Sequence, residues 1–545
     1  MRKLIASFFA AVLGSAAPAQ VTLPAVPAAA GAPKLLVVIS VDQFSADLFD
    51  EYRPYFTGGL ARLAGGTVFR NGYQAHAITE TCLGHSTILT GSHPTHTGII
   101  GNTWVDQSIS RSDKTVYCSE DERVPGSSTS EYTVSAIHLR VPTLGDLMKQ
   151  RWPQSKNVAV AGKDRAAVMM GGHVMDQRWY WNGQKFATDV AGAAVPATVG
   201  RANAAVASAV AVARQPLTMP PLCQRKATPY ALTPTLTVGA GAFGRTAGDT
   251  RGFRISPEYD GAVLALAGGL IQELRLGKNS TPDLISVGLS ATDYIGHALG
   301  PGGAEMCLQM LSLDRSLGGF FQMLDAEGLD YAVVLTADHG AMDIPERLRA
   351  KGVADAQRAN PNLAAVAVGK AIGAELKLAG PVLLGDLAND VWIDRNLKPA
   401  DRKRVERMAV AFYKAQPQVE AVFTARQISR VPIPTGAPDK WSLVQRVRAS
   451  FDAQRSGDIF VVLRRNVSPI AEPGVGYVAT HGSLWDYDRR VPILFWSRGV
   501  TPSNRPDHVS TVNMLPTLAA EIGLPLTQRI DGHCLTIQGV TCPKR

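Results

Sequence analysis

Residues 283–297 read DLISVGLSATDYIGH. The first seven, Asp283–Leu289, form an apolar run with no helical period. Such a run suits a strand buried on both faces of a sheet. Directly after it come Asp293 and His297, four residues apart and so on one face of a helix that would start there. An apolar strand ending in a carboxylate–imidazole pair is the unit that organises the rest of the chain.

Three more runs repeat the theme. Residues 34–41 (KLLVVISV) are followed at once by Asp42. Tyr331–Thr336 (YAVVLT) leads to Asp338-His339, and residues 491–496 (VPILFW) come shortly after Thr480-His481-Gly482. Helical periodicity is read at residues 50–64, 143–151, 261–276 and Ala304–Ala326. Strands alternating with helices predict an α/β fold with a mostly parallel central sheet flanked by helices. Two stretches, at about 104–255 and 345–475, break the rhythm and are expected as insertions that build a cap over the sheet edge. In the second, strands are predicted at Asn389–Ile393, Val419–Thr424 and Ile459–Leu463, with a helix at 400–415.

In open α/β sheets ligands gather beyond the carboxyl ends of the strands. Asp42, Asp293, His297, Asp338, His339 and His481 therefore converge on one edge. Three carboxylates and three imidazoles, without thiolates, suit zinc or another divalent ion. Two sites of three protein ligands would leave positions open for a substrate. Each residue alone has a bland reading as a helix cap or a structural histidine; the set of six does not. A hydroxyl candidate lies at Thr81, in Ile78-Thr79-Glu80-Thr81-Cys82-Leu83-Gly84-His85. A helix starting there would surround it with free backbone N–H groups. Cys82 is the rival nucleophile, but the sequence lacks the Pro and Arg of a sulfatase Cys-x-Pro-x-Arg signature.

The 545 residues, 46% hydrophobic and 19% charged, with 51 Gly and 34 Pro, give a loop-rich globular composition. The net charge of +9 is scattered. No basic stripe points to nucleic acid, and no apolar run outside the N-terminus is long enough to span a bilayer. The start of the chain reads as a secretory signal peptide, 1–19: Arg2 and Lys3, an apolar stretch, then Ala17-Pro18-Ala19 with cleavage after Ala19. A periplasmic or secreted protein follows, in a compartment that permits disulfides. Among the six cysteines, Cys534–Cys542 and Cys118–Cys223 are the expected pairs, with Cys82 and Cys307 as buried thiols.

The set Asp42, Thr81, Asp293-x-x-x-His297, Asp338-His339 and His481 resembles the alkaline phosphatase superfamily. Gly98-Ile-Ile-Gly101-Asn102 and Gly162-Lys163-Asp164-Arg165 narrow the resemblance to the phosphate-irrepressible bacterial alkaline phosphatases, related to nucleotide pyrophosphatases/phosphodiesterases. The resemblance covers residues 34–545. It implies an alkaline-phosphatase-like domain and two Zn2+ per chain: Asp42, Thr81, Asp338 and His339 hold one, Asp293, His297 and His481 the other. It implies Thr81 as the nucleophile of a phosphothreonine intermediate, and Asn102, Lys163 and Arg165 as ligands of the phosphoryl oxygens. The implied substrates are small phosphate monoesters, with diester hydrolysis as a minor activity and a monomer as the working form. The alternatives are a phosphodiesterase/nucleotide pyrophosphatase, a sulfatase, and a non-catalytic metal- or phosphate-binding protein.

Overall fold

Strand Leu35–Val41 sends alternate side chains to opposite faces, and both faces are covered. Leu35, Val37, Ile39 and Val41 join one core cluster; Leu36 and Val38 join another. A seven-residue run with no exposed position is what such a strand requires.

The computed structural model describes residues 28–29 and 31–543. The expected signal segment and its cleavage after Ala19 lie outside these residues. In chain order the strands used below are β1 (Leu35–Val41), β2 (Thr67–Tyr73), β3 (Asn157–Ala161), β4 (Gln177–Trp181), β5 (Phe186–Ala187), β6 (Asp283–Leu289), β7 (Tyr331–Thr336), β8 (Leu383–Gly385), β9 (Asn389–Ile393), β10 (Val419–Thr424), β11 (Ile459–Leu463), β12 (Arg490–Ser497) and β13 (Ser503–Ser510). The helices are α1 (Ala46–Tyr52), α2 (Gly59–Ala64), α3 (Thr81–Ile88), α4 (Leu144–Arg151), α5 (Asp164–Gly171), α6 (Pro257–Glu273), α7 (Ala291–Leu299), α8 (Ala304–Ala326), α9 (Ala365–Leu376), α10 (Pro399–Lys414) and α11 (Met514–Glu521).

The central sheet has nine strands in the order β13-β2-β12-β7-β1-β6-β3-β4-β5. The pairs β1–β6, β1–β7, β6–β3, β3–β4 and β2–β13 are parallel. Only β12 and β5 run against the others. One face packs on Phe49 of α1, Leu60 of α2, Leu264 and Leu270 of α6, and Leu317 and Phe321 of α8. The other packs on Ile88 of α3, Leu144 and Met148 of α4, and Leu515 and Leu518 of α11. This is the predicted mostly parallel sheet between helices.

Three expectations need correction. The helix read at 50–64 is two helices, α1 and α2, joined by a short 3-10 turn at Arg53–Tyr55. Pro54 has no N–H to continue the first helix. Residues 104–255 are not wholly an insertion, because β3, β4 and β5 belong to the central sheet. The five-residue run NVAVA of β3 is too short to stand out by composition. The cysteines pair as Cys82–Cys118, Cys223–Cys307 and Cys534–Cys542. Only the last pair matches expectation; neither Cys82 nor Cys307 is a thiol.

Strands β8, β9, β11 and β10 form a separate four-stranded antiparallel sheet. It has its own core, in which Val391, Val461 and Ile459 meet Val368 and Ile372 of α9 and Val405 and Ala409 of α10. All three strands and the helix predicted in this stretch are present.

Candidate active site

The carboxyl ends of β1, β6 and β7 lie side by side, so the residues that follow them meet. Asp42 follows β1, Asp293 sits in the first turn of α7 after β6, and Asp338 follows β7. All three carboxylates are buried, each at most 1% exposed. His297 lies on α7 one turn beyond Asp293, with its Nε2 3.2 Å from Asp293 Oδ1. His481 reaches the same oxygen from a loop, at 3.5 Å. His339 Nε2 lies 3.4 Å from Asp42 Oδ1 and 3.3 Å from Asp338 Oδ2.

Backbone carbonyls orient these rings. His297 Nδ1 donates to the carbonyl of Ala479 at 2.9 Å, His481 Nδ1 to Thr79 at 2.7 Å, and His339 Nδ1 to Gly340 at 2.9 Å. A carbonyl only accepts, so Nδ1 carries the proton and Nε2 of the neutral ring presents a lone pair. Burial pushes the His339 and His481 imidazoles below their ordinary range, which favours their neutral forms. Lone pairs therefore face carboxylate oxygens. Asp42 Oδ1 and His339 Nε2 are both buried and make no hydrogen bond. Two such acceptors 3.4 Å apart repel unless a proton or a metal cation lies between them. This donor set, with its second shell of carbonyls, fits a divalent metal.

Two groups of mutually close donor atoms result: Asp293, His297 and His481, and Asp42, Asp293 and His339. The first is the trio expected to share one ion. The second draws in Asp293, whereas Asp338 stands beside it through its contact with His339. Lys163 explains the shape. Its Nζ lies 2.6 Å from Asp42 Oδ2 and 2.5 Å from Asp293 Oδ2. The expected phosphoryl ligand thus bridges two carboxylates. Burial first, and then the charges of Asp293 and Asp338, push the Asp42 carboxyl well above its usual range. Burial acts the same way on Asp293 and Asp338 but is outweighed. Lys163, a fixed cation, contributes to holding both carboxyls low.

Thr81 is the first residue of α3, with Glu80 in the capping position. Its Oγ1 is buried and makes no hydrogen bond, so it does not act as a helix cap. The turn around it is clasped from two sides. His481 holds the Thr79 carbonyl; His85 Nδ1 lies 2.8 Å from the Thr81 carbonyl and 3.1 Å from Asp338 Oδ2. A Cβ on Gly84 would lie 2.0 Å from the Asp338 carbonyl oxygen, so only glycine lets α3 approach this loop. Asn102 is fixed next to Thr81: its Oδ1 accepts from the Cys82 N–H at 3.0 Å, and its own N–H donates to Glu80 Oε2 at 2.6 Å. Among the described residues the Asn102 side-chain NH2 makes no hydrogen bond and can donate. Arg165, in the first turn of α5, donates to the Tyr117 hydroxyl at 3.4 Å.

The structure brings together the predicted Asp42, Asp293, His297, Asp338, His339, His481 and Lys163. It places Thr81 and Asn102 beside them, and Arg165 two residues beyond Lys163. Two further residues take part. His85 touches Asp338, although its sequence setting reads as packing. Gln43 holds a left-handed backbone (φ 64°), donates its N–H to Asp338 Oδ1 at 3.1 Å, and donates Nε2 to Asp293 Oδ1 at 2.9 Å. Its adjacency to Asp42 was the one available signal. The Cys82–Cys118 disulfide removes the thiol that a cysteine nucleophile or a sulfatase would need.

Two clefts reach this centre. One, of about 590 Å³, is lined by Glu80, Asp386, Asn389, Tyr477 and His481. The other, of about 520 Å³, is lined by Lys163, Arg165, Tyr294, Arg254 and Trp181.

The family described as type I phosphodiesterase / nucleotide pyrophosphatase matches residues 36–484. The chain belongs to that family. Within it, the chain is 50% identical over 514 residues to alkaline phosphatase PhoK of Sphingomonas sp, covering 93% of this chain and 92% of that one. It is 44% identical over 519 residues to alkaline phosphatase PhoD of Zymomonas mobilis subsp. mobilis, covering 94% and 89%. The crystal structure of wild-type alkaline phosphatase PafA superposes with a TM-score of 0.77 at 26% identity, over 91% of this chain and 96% of that one. The resemblance to the alkaline phosphatase superfamily read from the motifs is therefore correct, and the chain is a hydrolase of this phosphodiesterase-type family with the alkaline-phosphatase-like fold.

Proposed function

We propose that the protein hydrolyses small phosphate monoesters, using two zinc ions and Thr81 as the nucleophile. One observation carries this reading: Thr81 Oγ1 is buried, has no hydrogen-bond partner among the described residues, and is set at a helix start beside a centre of metal-suited donors. Asp293, His297 and His481 would hold one ion. Asp42, Thr81, Asp338 and His339 would hold the other. Bound zinc supplies Lewis acidity: it lowers the pKa of hydroxyl and water and stabilises oxygens that gain charge.

The chain's own residues do the rest. Thr81 Oγ attacks phosphorus in line with the ester oxygen. The P–O ester bond breaks, the alcohol leaves with a proton, and phosphate remains on Thr81. Water then attacks phosphorus, the bond to Thr81 breaks, and inorganic phosphate and the free hydroxyl result. Asn102 donates its free NH2 to a phosphoryl oxygen. Arg165 offers its planar donors to two oxygens, and Lys163 contributes a point charge. Little covalent work falls to these side chains; placement and charge account for most of the rate. The four-stranded sheet acts as the cap: Asp386 and Asn389, at the β8–β9 turn, line the cleft that ends at His481.

The proposed export fits the same picture. Met1–Ala19 would direct the chain to the periplasm or beyond, where the three disulfides form. No helix among the described residues is long and apolar enough to cross a membrane. We take the monomer as the working form.

The test is Thr81→Ala. The variant should bind zinc as wild type does and lose monoester turnover. Retained phosphate release would leave a metal centre without this nucleophile; the absence of turnover in wild type would point to a binding protein. Diester hydrolysis, the reading the family description favours, is expected as a minor activity, because a diester has one anionic oxygen fewer for Lys163 and Arg165.

A further inference from the structure

The cleft beyond Lys163 and Arg165 carries more cationic hydrogen-bonding capacity than one phosphoryl group uses. Arg254 lines it from the segment before α6. Lys163 Nζ and the Arg254 guanidinium lie 5.1 Å and 5.2 Å from the centroid of the same Tyr294 ring. Among the described residues, neither Arg165 nor Arg254 lies within ion-pair distance of a carboxylate, whereas Lys163 is matched by Asp42 and Asp293. Arg165 Nε, Arg254 Nε and Trp181 Nε1 are buried and make no hydrogen bond. All three residues line the one cleft.

The acidic residues of this cleft do not cancel these charges. Asp164 is occupied: it accepts from the Tyr117 hydroxyl at 2.9 Å, the Tyr132 hydroxyl at 2.8 Å and Ser119 Oγ at 3.2 Å. Glu131 stands exposed at the rim. Buried N–H donors on charged groups are costly when nothing accepts from them. An arginine held over an aromatic face and left without a carboxylate is set to receive an anion.

We infer that this cleft is a second anion subsite, in which the Arg254 guanidinium binds a phosphate or carboxylate group carried by the substrate apart from the scissile phosphoryl. The preferred substrates are then phosphate esters whose leaving group is itself anionic, such as sugar bisphosphates. The inference rests on the proposed role of Lys163 and Arg165 at the scissile phosphoryl, which leaves Arg254 for a second anionic group. Arg254 is a specificity-determining residue and takes no part in bond making.

The experiment compares a hexose bisphosphate with the matching hexose monophosphate, on zinc-loaded wild type and on Arg254→Gln. Wild type should prefer the bisphosphate by about tenfold in kcat/KM, mainly through KM, the scale of one charge-assisted hydrogen bond. In Arg254→Gln that preference should fall to within about twofold, and Arg254→Lys should restore part of it because a charge returns. No preference in wild type, or a preference that survives in Arg254→Gln, overturns the subsite. Failure of the underlying reading looks different: wild type would hydrolyse neither ester, or Lys163→Ala with Arg165→Ala would hydrolyse both as well as wild type.

Discussion

Cys82 and Cys118, 36 residues apart, are joined by a disulfide at the edge of the active site. Cys82 follows Thr81 in α3. Cys118 stands between Tyr117 and Ser119, and both of these donate hydrogen bonds to Asp164, the residue between Lys163 and Arg165. The bridge thus ties the start of the nucleophile's helix to the start of the helix that carries the phosphoryl-binding cations. Replacing both cysteines by serine should cost about 2–4 kcal/mol of stability by loss of the cross-link. It should also lower monoester kcat/KM by about tenfold through misplacement alone. Urea unfolding and aryl phosphate kinetics on one preparation check both; unchanged activity would mean that the bridge only stabilises.

Tyr117 passes this order on to Arg165. Its hydroxyl accepts from Arg165 Nη1 and donates to Asp164 Oδ1. Tyr117→Phe should reduce monoester kcat/KM by roughly three- to tenfold, the scale of one lost hydrogen bond to a charged group. In an Arg165→Ala background the same change should have little further effect, since neighbours in one network do not add. A double-mutant cycle that came out additive would remove Tyr117 from the positioning of Arg165.

Lys163 and Arg165 should set the choice of ester. The Lys163→Ala/Arg165→Ala variant is expected to lose about two to four decades of monoester kcat/KM, taking roughly 1.4 kcal/mol per decade. Diester turnover should fall far less, because Thr81 and the metal donors remain. Equal losses on both substrates would indicate damage to the metal centre, because Lys163 touches Asp42 and Asp293.

Chelation should abolish activity, and zinc should restore it better than magnesium. Elemental analysis should find about two zinc per chain in wild type. His297→Ala leaves Asp293 and His481 as one ion's protein ligands and should bind about one. Full activity in stripped protein would contradict the dinuclear centre.

Much of this was legible because strand ends are fixed points. Once residues 34–41, Asp283–Leu289 and Tyr331–Thr336 read as neighbouring parallel strands, Asp42, Asp293 and Asp338 had to meet. What stayed hidden depends on contacts far apart in the chain. Gln43 reaches Asp293, 250 residues away, and only its adjacency to Asp42 marks it in the sequence. His85 reads as a packing residue until α3 is laid against Asp338, an approach that Gly84 permits. The run VPILFW shows that β12 is buried but not that it is antiparallel, since an apolar run reads the same in either direction. Cysteine pairing followed the meeting of α3 with the Thr103–Val105/Thr115–Tyr117 hairpin, which spacing does not encode.

The central claim is that phosphate passes through Thr81. The most direct measurement is acid quenching of the zinc-loaded enzyme during turnover of a phosphate monoester, followed by peptide mass spectrometry. The account predicts phosphate on Thr81 itself, appearing with substrate and absent in Thr81→Ala. Turnover at full rate with Thr81 never phosphorylated, or with the phosphate on another residue, would contradict it.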